Sequence, residues 1–155
     1  MRSTFRIAAL AFAATISSTA FAADPEWMKS VGEALGKTGS AMPGGIYRVG
    51  LPRSDLKVTL DGVEIKPALA LGSWLAFRKS GNQGMVMGDL VLLVREVTPV
   101  MTKLEEAGIE VTALHSHMLN EQPRLFFMHF WANDDAVKLA KGLRAALDKT
   151  ASAKS

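Results

Sequence analysis

Asp61-Gly62 most narrows what this chain can become, because it stands between Leu56-Lys57-Val58-Thr59-Leu60 and Val63-Glu64-Ile65-Lys66. The dipeptide suits a two-residue turn with positive φ at both positions, so the flanking runs should fold back on each other as an antiparallel hairpin. Two more pairs of apolar runs are joined by short polar turns. Residues 70–77 and 85–93 flank Ser80-Gly81-Asn82-Gln83-Gly84, and residues 109–119 and 125–131 flank residues 120–123. Each pair is expected to be antiparallel neighbours. Residues 46–49, after the Pro43-Gly44-Gly45 break, add a short strand.

Helical spacing fills the remaining stretches. After Asp24-Pro25-Glu26, a cap with proline at the first helical position, Trp27, Val31 and Leu35 recur every fourth residue up to Gly36. Val97, Val100, Met101 and Leu104 predict a second helix over residues 96–107, with Gly108 placed to end it. A third helix begins around Asn133-Asp134-Asp135 and carries Val137, Ala140, Leu143 and Leu147 on one stripe. Clustered strands with helices laid beside them predict a single α+β domain, a largely antiparallel sheet with helices packed on one face.

Residues 1–22 have the pattern of a secretory signal: Arg2 and Arg6, an apolar run over residues 7–16, then Ala20-Phe21-Ala22 before the expected cleavage. That run is shorter than the roughly 20 residues a spanning helix needs. The expectation is a periplasmic or secreted protein without stable membrane insertion, one domain over residues 23–148 and a flexible tail over 149–155. The chain contains no cysteine, which excludes disulfides and thiolate metal sites. Its formal charge is +3, and losing Arg2 and Arg6 leaves about +1, which argues against nucleic acid as a partner.

The chemistry-bearing residues cluster near the end. The chain has only three histidines, in Ala113-Leu114-His115-Ser116-His117 and Met128-His129-Phe130. Side chains alternate along a strand, so His115 and His117 should share a face, and a turn over residues 120–123 would set His129 opposite His115. Three imidazoles on one face suit a divalent transition metal, zinc or copper above all, and zinc would bring the pKa of a bound water to about 7. A lone histidine of this kind is ordinarily a hydrogen-bonding group at a sheet edge; three together favour a site. Glu121 is the candidate fourth ligand or catalytic base, with a solvated turn carboxylate as the alternative. Arg124 and Trp131 are the candidate substrate contacts, against an arginine facing water and a tryptophan in the core.

Other residues invite plainer readings. Met85 and Met87 share a strand face and would suit copper, but core packing is expected of them. Trp74 is expected in the core. Asp89, a charge inside an apolar strand, is expected to be buried against Arg48, Arg53 or Lys66, or else to reach the pocket. Arg53-Ser54-Asp55 reads either as an anion grip or as a solvated loop.

His-x-His-x-x-x-Glu over residues 115–121, with His129 followed by Asn133, resembles the metal signature of cupins. Cupins separate those motifs by a longer stretch of barrel strands, so the likeness implies ligand types and not the barrel. Gly45-Ile46-Tyr47-Arg48-Val49, Leu51-Pro52-Arg53-Ser54-Asp55-Leu56-Lys57-Val58, Met85-Val86-Met87-Gly88-Asp89-Leu90-Val91, Ile109-Glu110-Val111-Thr112-Ala113-Leu114-His115-Ser116-His117 and Met128-His129-Phe130 together resemble the LppY/LpqO family of bacterial exported proteins. The resemblance spans nearly the whole chain after the signal. It implies a single exported domain of unknown function, and some relatives carry a histidine where this chain has Trp131.

Three functional expectations follow: a periplasmic metal-binding protein, which an open coordination position would make a metal-dependent enzyme; a metal-free binding module for a cell-envelope carbohydrate or small anion; or a structural, partner-binding envelope protein.

Overall fold

The computed structural model describes residues 25–152, and the signal segment and Asp24 lie outside the described residues. The elements run α1 (Glu26–Leu35), β1 (Ser40–Met42), β2 (Ile46–Pro52), β3 (Val58–Leu60), β4 (Val63–Ile65), α2 (Pro67–Ala70), β5 (Gly72–Ser80), β6 (Gln83–Leu93), α3 (Val94–Glu106), β7 (Glu110–His115), β8 (Leu125–Asp134) and α4 (Ala136–Leu147). Six strands form one antiparallel sheet in the order β1-β2-β5-β6-β8-β7, and β3 and β4 form a separate hairpin. This is a single α+β domain, as the turn signals and periodicities predict. No described helix is long and apolar enough to cross a membrane.

The local chemistry explains the boundaries. Asp61 and Gly62 take φ of 50° and 79°, the hairpin geometry expected of Asp-Gly. Gly36 ends α1 in the left-handed conformation, and the Asp135 carboxylate accepts the Lys138 backbone N–H at 2.8 Å to cap α4. Leu75, Phe77, Val86, Leu90, Met128 and Phe130 alternate along the three central strands toward α1, α3 and α4, and with Val31, Val100, Leu139 and Leu143 they form the main core. Thr150 and Ser152 are buried, so packing continues to the last described residue.

The opposite sheet face is covered at one end only. Val58, Leu71, Val91, Leu93, Leu125 and Phe127 make a second, smaller core, with Met118 packed against it. The hairpin that caps this end is tied down by two Thr59–Gln122 backbone hydrogen bonds of 2.8 Å. Arg53, read from the sequence as part of a solvated loop or an anion grip, is not solvated, and the carboxylates it grips belong to the chain itself. It is fully buried, bonded to Glu96 at 2.7 and 3.1 Å, to Asp55 at 2.8 Å and to the Val91 carbonyl at 2.7 Å. Its five donors close the junction between β6 and α3.

Three features were not legible in the pattern. Strand β1 and the one-turn helix α2 carry no periodic signal of their own. A bulge between Val111 and Ala113 breaks the alternation, which explains why Ile109 packs in the main core while Ala113 and His115 face the other way. On the turn side of that bulge the register pairs His129 with Ala113, not with His115, and His115 with Phe127.

Candidate functional site

Where the second core stops, the half-covered face carries a row of residues that are not core. Register places Gly50, Trp74, Asp89, His129 and Ala113 side by side across five strands. His115 lies one step along β7. Its Nε2 comes within 2.9 Å of His129 Nε2, and the two rings stack at 5.0 Å between centroids. In a neutral pair one imidazole donates N–H to the lone pair of the other. His117, beyond the end of β7, stacks on Phe127 at 3.4 Å and on His115 at 5.0 Å. The structure therefore brings the three imidazoles together, two of them nitrogen to nitrogen and the third ring on ring. Among the described residues no three metal-ligating side chains form a ready-made cluster.

Asp89 is the residue that sequence reasoning undervalued. It is 7% exposed, and its Oδ1 has no hydrogen-bond partner. Neither Arg48 nor Arg53 nor Lys66 pairs with it, contrary to the expectation of paired burial. Burial pushes its carboxyl above the ordinary range, and only the nearby His129, His117 and His115 pull it back. His117 is shifted down, chiefly by partial burial, against the attraction of Asp89. The signal was present: a carboxylate two positions from Met87 in an otherwise apolar strand.

The remaining candidates divide. Glu121 is fully buried; its carboxylate accepts the Leu125 N–H at 3.0 Å, the Ser116 hydroxyl at 3.5 Å and Arg124 at 3.4 Å. Arg124 also donates to the Met118 and Leu119 carbonyls at 3.1 and 2.7 Å. Both residues are thus bonded into the loop that carries His117. Trp131 and Met87 pair across β8 and β6 on the histidine face, and Met87 is 52% exposed, so the core placement expected of Met87 does not hold. Trp74 is half-buried on the same face, with the Arg48 guanidinium 4.3 Å from its ring centre. Asn133 bonds Gln83 at 3.4 Å, and the strands form an open sheet, so only the ligand types of the cupin likeness have a counterpart here.

A groove of about 460 Å³ opens beside Asp89 and His117, between β2, β5 and α2. That volume lies within the roughly 300–1,000 Å³ of small-molecule sites.

A family model described as Domain of Unknown Function (DUF1259) matches residues 29–149, most of the chain. No curated protein and no solved structure matches it.

Proposed function

We propose a function for this chain, which belongs to the Domain of Unknown Function (DUF1259) family, from its own side chains: an exported protein that binds one divalent transition metal on the open face of its sheet. The observation that carries the reading is the 2.9 Å approach of His115 Nε2 to His129 Nε2. Two imidazoles bound to one tetrahedral zinc at about 2.0–2.1 Å hold their nitrogens roughly 3.3 Å apart. A small opening of the pair therefore admits an ion. His117 and the unpartnered Asp89 Oδ1 are the nearest groups to complete the set, and a cation would offset the burial of that carboxylate. Glu121 and Arg124 act at one remove, holding the loop that carries His117. Export rests on the signal pattern of residues 1–22, and the runs quoted above favour the LppY/LpqO group within the family.

The test is metal content and calorimetry on the mature protein after chelation and dialysis. Zinc or copper should bind at roughly one equivalent and raise Tm, and both effects should vanish in His115→Ala and His129→Ala. Binding that survives both substitutions, or none at all in the folded wild type, overturns the reading.

A second reading, a metal-free module for an envelope carbohydrate or small anion, is favoured by one observation: the groove beside Asp89 carries an arginine with no anionic partner among the described residues.

A further inference from the structure

We propose that this groove binds an anionic monosaccharide, a hydroxylated ring bearing a carboxylate or phosphate, with Arg48 as the anion contact and Gly50 and Gly72 as the floor. The inference rests on the second reading above and does not require the metal.

The glycines carry the argument. Gly88, Gly84 and Gly39 have packing reasons to lack a side chain: a Cβ would lie 2.4 Å from the Trp74 carbonyl oxygen, 2.7 Å from Ala136 Cβ and 2.5 Å from the Arg48 carbonyl oxygen. Gly50 and Gly72 have none. A Cβ at either would meet nothing within 4 Å, and neither takes positive φ. Glycine weakens a strand relative to alanine, because it loses more backbone freedom on folding. Close approach of a ligand to the backbone is one reason for glycine in a strand, and the open space over these two is compatible with it. Both residues line the groove.

The groove's polar groups set the ligand class. Arg48, exposed on β2, has its guanidinium carbon 4.3 Å from the centre of the Trp74 ring, a cation–π contact that leaves N–H groups for an oxyanion. His117 and the buried Asp89 with its unpartnered Oδ1 also line the groove, groups suited to ring hydroxyls. Trp74 and the exposed Leu69 of α2 supply apolar wall. A cation, hydroxyl-binding groups and bare backbone lining one groove describe a sugar acid or sugar phosphate better than a neutral sugar or a free anion.

The test uses chelator-treated mature protein, titrated with glucuronate, galacturonate, glucose 6-phosphate, glucose and inorganic phosphate, and followed by calorimetry. At least one anionic sugar should bind, and at least about tenfold more tightly than glucose or phosphate. Arg48→Gln and Gly50→Val should each weaken it by about tenfold or more. Both variants should keep the wild-type circular dichroism spectrum and the metal binding that His115→Ala removes. Gly50→Ala, which fills less of the floor, serves as a second variant should Gly50→Val fold poorly. Uronate binding without phosphate-ester binding, or the reverse, identifies the oxyanion. No binding by any anionic sugar, equal binding of glucose, or affinity unchanged in Arg48→Gln overturns the proposal, while loss of metal binding alone bears only on the first reading.

Discussion

Asp89 on β6 and His129 on β8 stand directly opposite each other, and Asp89, buried within a row that is otherwise partly open, has no hydrogen-bond partner for its Oδ1. A buried acceptor left unsatisfied costs folding free energy, so Asp89 is held at the expense of stability. Asp89→Asn supplies N–H donors to the neighbouring imidazole lone pairs and removes the buried charge. The metal-free variant is expected to be more stable than wild type by roughly 1 kcal/mol, a few degrees in Tm, and to bind zinc or copper more weakly. Calorimetric melting with and without metal measures both. A less stable metal-free Asn variant would mean that Asp89 serves the fold.

Arg53 shows the opposite economy: a buried charge with every prong satisfied. Removing the arginine leaves Glu96 buried beside Leu93 N–H with no cation, so Arg53→Met is expected to cost about 3–5 kcal/mol in urea unfolding. Adding Glu96→Gln, which keeps an acceptor for Leu93 N–H but removes the orphaned charge, should recover part of that loss. A double variant no more stable than Arg53→Met would show that packing, and not charge, sets the cost.

Asp55 completes that cluster at its solvent edge, and the Arg53 guanidinium hydrogen-bonded to it holds its carboxyl below the usual carboxylate range. With the folded-state pKa lower than the unfolded one, the unfolded chain takes up protons first as pH falls. The contribution of Asp55 is therefore complete above about pH 4 and is lost as pH drops through the depressed folded value. Urea midpoints taken from pH 6 downward should fall in the wild type and fall less steeply in Asp55→Asn. Parallel curves for the two proteins would place the acid sensitivity elsewhere.

Much of this architecture could be read from the chain because its signals are local. Asp61-Gly62 needs only its own backbone to turn, and the stripes Val31/Leu35 and Leu143/Leu147 need only a helical repeat to find the core. The histidine face was legible for the same reason, since residues two apart share a face. The register of His129 was not, because the irregular connection over residues 116–124, and not a tight turn over 120–123, sets the offset that pairs it with Ala113. Trp74 and Met87 look like core residues, and whether they are buried depends on how far the β3–β4 hairpin covers the second face. That is a tertiary property, as is the loss of Arg53 to the interior.

Glu121 separates a residue that performs chemistry from one that positions it. Its Oε1 accepts the first amide of β8, at Leu125, and the hydroxyl of Ser116, which lies between His115 and His117. Glu121→Gln keeps an oxygen acceptor for both donors, whereas Glu121→Ala strands the Leu125 N–H in a buried site, which costs about 1–3 kcal/mol. The loop over residues 116–124 should then lose its anchor while His129, inside β8, stays in place. The expected pattern is near-wild-type metal affinity in Glu121→Gln, weaker affinity in Glu121→Ala, and faster hydrogen exchange at the Leu125 amide in the alanine variant alone. A glutamate that ligates the ion through its charge would give equal losses of affinity in both variants, with the Leu125 amide exchanging no faster in Glu121→Gln than in the wild type.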